Sequence, residues 1–538
     1  MPSELFLNPL EIMVLFVIGL LALMPVWKHW VGWGSFANSG AWLLSVYAIS
    51  YLVIILHYAN SAGFFDHGEA MVPAWSWMLN EGKPLYNGFE DAARYSTIYG
   101  PIGNIYYALA MKWFGASLHT CKMAAALAGI GCVVLTFLAY AKLYQPRTGF
   151  IGGSLVSLGV LAFAFQSFMT KHDPLLFLFT ALGLYATVAF RPLIGSIMLG
   201  LCAGCLMNGK AHAVLYVVPL LLLRPKHFRV SHFIFFSCAA VLAFVLPFFH
   251  QQISFSDWLA GLSVEGGLGI GRTELFSNVQ WFALIWFPVP ALMFALKIRD
   301  AAAFRELMLE GKWFILATFV ASVLIGLVGS KIASGPAHFA PLIPVVFCIY
   351  CMLLPAIGSS VPKKASQDDL TMLKILASVL VACFLTWNVI AVHQQYRLLS
   401  ALKIINTNST LIYADINDIV KQLPGKSVSM GYGSSQTTFL SQHFLPLVFA
   451  GNPYYFNFSS MMGFHGHFLS VRSRAVIKDK LVDYWLVPRG DQPFTIRSYY
   501  QPNPELFDED FRKAFAENYV HKGASRFFDV YEAKGVNP

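Results

Sequence analysis

Apolar runs near 20 residues long recur along this chain, and no other feature constrains its fold as strongly. A run of that length crosses the hydrocarbon core of a bilayer as one helix. Inside a bilayer only helices and closed barrels satisfy their own backbone polar groups. Composition agrees. Of 538 residues, 57% are hydrophobic and 12% are charged, and mean hydropathy is +0.58. That charged share is roughly half the ~25% of an ordinary soluble domain. A disordered chain is excluded, and a purely soluble one does not fit. The formal charge of +9 does not point to nucleic acid, because Lys and Arg are scattered between the apolar runs.

The pattern predicts an α-helical polytopic membrane protein with about 12 spans, at roughly 9–27, 40–58, 118–141, 149–170, 174–190, 192–209, 212–223, 231–250, 278–296, 313–330, 336–355 and 374–393. The pair 192–209 and 212–223 is short enough to be one broken hairpin. The first run follows Met1–Pro9, which has no Lys or Arg, so it lacks the basic region of a cleavable signal peptide. Basic residues set the orientation. With the N-terminus outside, the inside loops carry Lys28, Lys142, Arg147, Arg191, Arg224, Lys226, Arg229, Lys297, Arg299, Arg305, Lys312, Lys363, Lys364 and Lys374, fourteen in all. The outside segments before residue 394 carry eight: Lys83, Arg94, Lys112, Lys122, Lys171, Lys210, Arg272 and Lys331.

Two outside stretches are long. Residues 59–117 form a first loop, with amphipathic pieces near 69–81 and 102–114 that suit the membrane interface. Residues 394–538 form a tail with strand-like runs at 427–432, 483–488 and 527–532 and an amphipathic helix over Phe507–Val520. The expected organisation is a transmembrane module over 1–393 and a small extracytoplasmic α/β domain over 394–538.

Chemistry concentrates on the outside face. The first loop opens with Phe64-Phe65-Asp66-His67-Gly68-Glu69, which places two carboxylates and an imidazole where a span leaves the membrane. Such a carboxylate serves as a general base or a metal ligand, or only as a solvated helix N-terminus. Farther on come Gly82-Lys83-Pro84-Leu85-Tyr86 and Tyr99-Gly100-Pro101. Three other outside loops each pair a basic residue with a histidine: Lys171-His172-Asp173, Lys210 with His212, and Lys331 with His338. Ionisable groups beside spans are costly unless paired or functional. Cations beside carboxylates suit a phosphate or pyrophosphate lipid head group.

This order of features resembles the membrane glycosyltransferases of the GT-C fold, which take sugars from polyprenyl-phosphate donors; the aminoarabinose transferase acting on lipid A and the protein O-mannosyltransferases are similar. The resemblance implies an inverting displacement in the cell envelope, at a bacterial inner membrane, with a lipid, glycan or protein as acceptor. It implies Asp66 as the catalytic carboxylate, with Glu69 a second candidate. It implies Lys171 as a partner of the donor phosphate, and extends that role to Lys210, Lys331 and His338. Asp173 would bind a divalent metal (Mg or Mn) or orient Lys171. His67, His172, His212 and Tyr99 are further site candidates. One feature departs from the common pattern, an extra span before the first-loop motif.

Other features read as structure. The eight cysteines lie in or beside apolar runs, where CxxC spacing at Cys202/Cys205 and Cys348/Cys351 reflects packing. Glu265–Arg272 reads as a flexible Gly-rich loop, and His465 with His467 as surface residues. Asn408 and Asn457 sit in Asn-x-Ser/Thr patterns. A transporter or lipid flippase is the rival class, but the polar residues gather on one face and the halves show no symmetry. An O-antigen ligase or polymerase is a rival within the enzymes.

Overall fold

The structure is a computed structural model, and it describes residues 46, 48–66, 68–143, 156, 159, 164–223, 229–266, 269–332, 334–359, 367–463, 469–498 and 503–535. The expected span at 9–27 lies outside these residues, as do His67, Arg224, Lys364, His465 and His467. The chain forms two compact units. One comprises 1–58, 125–246 and 269–400; the other comprises 59–124, 247–268 and 401–538.

The first unit is helical. Across the described chain, seven helices are long and apolar enough to cross a membrane: Leu118–Leu143, Pro192–Gly209, Val230–Phe249, Arg272–Arg299, Ala301–Gly329, Pro336–Leu353 and Gln367–Gln422. Ala48–Ala59, Asp173–Ala189 and Ala211–Leu222 are shorter apolar helices. The protein is an integral, multi-pass membrane protein. All eight cysteines are free thiols, as their apolar settings suggest.

Small residues set the helix packing in the first unit. Gly200 and Gly204 lie one turn apart on Pro192–Gly209, a small-x-x-x-small face of the kind that lets membrane helices approach closely. A Cβ on Gly204 would meet the Ala240 carbonyl oxygen at 2.2 Å, and one on Gly200 would meet that of Phe236 at 2.3 Å. Both carbonyls belong to Val230–Val245. The Asn208 amide donates to the Phe244 carbonyl at 2.9 Å and closes the same pair.

Two boundaries differ from the sequence reading. The expected inside loop at 297–312 is nearly absent, because Asp300 caps a helix that starts at Ala301; its carboxylate accepts the amides of Ala302 and Ala303 at 3.0 Å. Arg305 and Lys312 therefore sit on a helix. The last expected span does not stop at 393. It continues within Gln367–Gln422, since no breaker intervenes before Pro424-Gly425, where Gly425 adopts φ +74°.

The second unit holds the first loop and the tail. Helices Gly68–Asn80 and Ile102–Phe114 pack together through polar groups: the buried Asn104 donates to the buried Ser76 Oγ at 3.3 Å, and the exposed Asn80 donates to the Ala108 carbonyl at 2.9 Å. The tail contains a four-stranded sheet of β1 (Val428–Met430), β2 (Tyr484–Pro488), β3 (Tyr519–Ala524) and β4 (Phe528–Ala533) in the order β1-β2-β4-β3. β1 and β2 are parallel and the other pairs antiparallel. β1, β2 and helix Glu509–Asn518 fall within the expected runs and β4 overruns its own by one residue, whereas β3 was not expected. The core of this part is aromatic, built from Tyr432, Phe456, Trp485, Phe494, Phe507, Phe511 and Phe515. Asn457 is fully buried and donates to Tyr454 Oη at 2.7 Å, so its tripeptide is not an accessible glycosylation site in the folded protein.

The glycine face yields a stability test. Gly204→Ala forces backbone apart rather than a flexible side chain, so it should destabilise the detergent-solubilised protein by about 1–3 kcal/mol, the usual range for overpacking. Gly195→Ala, whose nearest backbone contact is a milder 3.0 Å, should cost less. Thermal unfolding of the two variants side by side checks the order.

Candidate functional site

The first unit brings together the ionisable residues of three separate loops. Asp173 opens helix Asp173–Ala189, a position that favours an acid and that Pro174 fixes as a first turn. Lys210 caps the end of Pro192–Gly209, where φ −144° turns the chain and aims the side chain away from its helix. The two meet as a buried ion pair, Lys210 Nζ to Asp173 Oδ1 at 2.7 Å, with 9% and 11% of their side chains exposed. Two histidines complete the core. His338 Nδ1 and His212 Nε2 lie 3.1 Å apart, which requires one proton between them, and Tyr216 Oη donates to the His338 carbonyl at 2.9 Å. The charges of Lys210, Lys331 and Asp173 act on both histidines. Lys171 acts on Asp173 and on His172. Burial pushes the His172 imidazole down to about 3 against the charge of Asp173, so it is neutral near pH 7.

The loop bearing Lys331 and His338 is pinned from the Gly-rich segment. Gly271 N donates to the Ser330 carbonyl at 2.9 Å and Ile332 N to the Gly269 carbonyl at 3.0 Å. Ile270 and Lys331 form an antiparallel bridge. The buried Asn278 amide donates to Ser330 Oγ at 3.3 Å. Gly335 has φ +144°, a conformation that favours glycine. The segment expected to be a flexible loop is thus, over residues 269–271, a support for the Lys331 loop.

The second unit holds the first-loop carboxylates. Glu69 is fully buried. Its Oε1 accepts the backbone amides of Phe65 at 2.8 Å and Asp66 at 3.3 Å. The Asp66 carboxylate, partly exposed, accepts the Gly68 amide at 2.7 Å. The arrangement resembles a capping box, in which an N-terminal acid and a Glu three residues on satisfy each other's neighbouring amides. Glu69 is therefore not the solvated helix end that its spacing also allows. Tyr99 is held through its backbone: its carbonyl accepts Tyr86 Oη at 2.8 Å and its amide donates to Thr97 Oγ1 at 3.1 Å.

Lys122 belongs to this site and has no role in the sequence reading beyond its place among the outside cations. It is fully buried near the start of Leu118–Leu143. Its ammonium donates to the carbonyl and hydroxyl of Ser61, both at 2.9 Å, and to the Gly63 carbonyl. The charge of Glu69 acts on it. Its sequence signal is an ionisable residue inside an apolar run, which marks a site by default.

The residues around Asp173 do not fit a divalent metal. The carboxylate already accepts an ammonium at hydrogen-bond distance, and its other charged neighbours are cations. Among the described residues no three His, Cys, Asp or Glu side chains form a metal-holding group.

No protein-family model matches the chain, and no curated protein does. Its fold matches that of ArnT from Cupriavidus metallidurans bound to undecaprenyl phosphate, with TM-score 0.55 and 13% identity over 92% of this chain and 99% of that one. The same protein in the apo state gives 0.52 and 12% over 92% and 98%. The chain has the GT-C fold. ArnT is an aminoarabinose transferase, and at this identity the likeness is one of fold.

The buried pair makes its own stability forecast. Removing one partner leaves an uncompensated charge, which costs about 3–5 kcal/mol, whereas replacing both is much milder. Lys210→Met should destabilise the purified protein strongly, and Lys210→Met with Asp173→Leu should recover much of the loss. A double-mutant cycle by thermal unfolding measures the coupling.

Proposed function

We propose that the chain is a membrane glycosyltransferase that moves a sugar from a polyprenyl-phosphate donor to an extracytoplasmic acceptor hydroxyl by inverting displacement. The observation that carries this reading is the convergence of Lys171, Lys210 and the His212–His338 pair about Asp173, with the charge of Lys331 acting on both histidines. Three ammonium groups against one carboxylate leave the cluster cationic. A phosphate leaving group needs positive charge where its negative charge develops, and preformed cations give that without reorganisation. The fold it shares with ArnT, solved with undecaprenyl phosphate, supports the same class of donor.

In this reading Asp66 takes the proton of the acceptor hydroxyl. The oxygen attacks the anomeric carbon, the bond from that carbon to the phosphate oxygen breaks, and the lipid phosphate leaves carrying the electron pair. Lys210, Lys331 and Lys171 neutralise it, and the histidine pair donates a hydrogen bond. Glu69 supports the loop rather than the proton transfer. No step is routed through a metal. The setting we propose is the bacterial inner membrane, with first loop and tail on the outer face and a lipid, glycan or protein as acceptor.

Two experiments test this. Removing a general base lowers the rate by about 10²–10⁴-fold. Asp66→Asn should therefore abolish most sugar transfer in detergent while expression and thermal stability stay near wild type. Glu69→Gln, which still accepts backbone amides, should lose less. Wild-type turnover in a protein with both substitutions would end the assignment. Sidedness is checked by cysteine substitution: an impermeant thiol reagent added outside should label positions 87 and 491 in intact cells and leave position 364 untouched until permeabilisation.

A further inference from the structure

Burying an ammonium is expensive, and a hydroxyl would serve an ordinary structural contact. Lys122 nonetheless donates to one short stretch of chain, to the Ser61 carbonyl and hydroxyl and the Gly63 carbonyl. That stretch leads directly into Asp66. Other restraints on it within the unit point the same way. The Asn406 side chain accepts the Ala62 amide at 2.6 Å. Gly63 lies so close to Ile405 that a Cβ would come within 2.4 Å of it. The Phe64 ring packs on Phe439 and on His443, with centroids 5.7 and 4.9 Å away. His443 is itself fixed, Nε2 to Ser409 Oγ and Nδ1 to the Phe439 carbonyl, both at 2.9 Å. On the far side Glu69 holds the amides of Phe65 and Asp66. Residues 61–66 are thus gripped at nearly every position, and Lys122 supplies the charged grip opposite the charge of Glu69.

We propose that Lys122 is a positioning residue for the transfer reaction: by fixing segment 61–66, it holds the Asp66 carboxylate in the one geometry from which it can take the acceptor proton. This rests on the transferase reading of Asp66. The ammonium acts through its contacts with Ser61 and Gly63. Its role is to remove the freedom of a glycine-containing segment that would otherwise carry the carboxylate away, and a displacement of about 1 Å can cost 10²-fold in rate. Asn406 provides the same service through a neutral contact on the adjacent residue.

The test uses the full-length protein in detergent with undecaprenyl-phosphate-linked aminoarabinose, arabinose, mannose and glucose as donors in turn, keeping whichever the wild type consumes. Lys122→Met should lower kcat by about 10–10²-fold with donor KM unchanged, and Lys122→Arg should restore part of the loss. Hydrogen–deuterium exchange, which needs no donor, should show faster exchange confined to peptides covering 60–68. Should Lys122→Met not fold, Asn406→Leu is the second variant, with a smaller fall in kcat and the same local exchange. An unchanged kcat, a change in donor KM alone, or unchanged exchange over 60–68 overturns the proposal. If no donor is consumed by the wild type, the transferase reading fails, while the exchange result still decides whether Lys122 fixes this segment.

Discussion

A charge removed from water has to be met by another charge or by a full set of hydrogen bonds, and both clusters in this protein are solutions to that constraint. In the helical unit the solution is an ion pair, Lys210 on Asp173, set among histidines whose rings bond to each other. In the other unit it is an ammonium, Lys122, placed against three oxygens of one tripeptide. An ion pair of the first kind is weak evidence for stability, because desolvation offsets much of the attraction. Its value is a fixed array of cations. The second kind fixes backbone. The two arrangements therefore suit different tasks, charge compensation in one unit and loop geometry in the other.

Close backbone approach is the second physical theme. Gly200 and Gly204 bring one helix onto the carbonyls of the next. Gly329 does the same at the turn bearing Lys331, where a Cβ would come within 3.0 Å of the Gly335 carbonyl and 3.3 Å of His338 Cβ. A side chain at 329 would press these neighbours aside by a few tenths of an ångström, in the loop that brings His338 to His212. Packing chemistry and site chemistry are thus joined at the same residues.

Much of this was legible in the sequence, for reasons particular residues make clear. Lys171, Lys210 and Lys331 stood out because the positive-inside bias leaves few cations on the outside face, and the structure gathers their three loops. The two first-loop helices were legible because Gly82 and Pro101 punctuate them, and they form at Gly68–Asn80 and Ile102–Phe114. Three strands were legible from short β-rich runs. What was not legible depends on long-range partners or on missing signals. Nothing near Lys122 in sequence says that its acceptors lie some sixty positions earlier. The helix Gln367–Gln422 outran its apolar segment because a polar helix needs only the absence of a breaker to continue. Strand β3, Tyr-Val-His-Lys-Gly-Ala, lacks a clean alternation and follows its helix without a turn signal.

The Asp-x-x-Glu spacing at residues 66 and 69 carried two readings at once, a catalytic or metal-binding carboxylate and a solvated helix N-terminus. A general base has to come within hydrogen-bond reach of the proton it abstracts. Glu69 is wholly buried, with one oxygen already accepting two backbone amides. Asp66 remains partly exposed, and its carboxylate accepts the Gly68 amide. The same motif therefore divides its labour: the inner carboxylate builds the turn, and the turn presents the outer one. Under the proposed mechanism the cap and the base are not competing descriptions of this segment, because the capping geometry is what gives Asp66 its place.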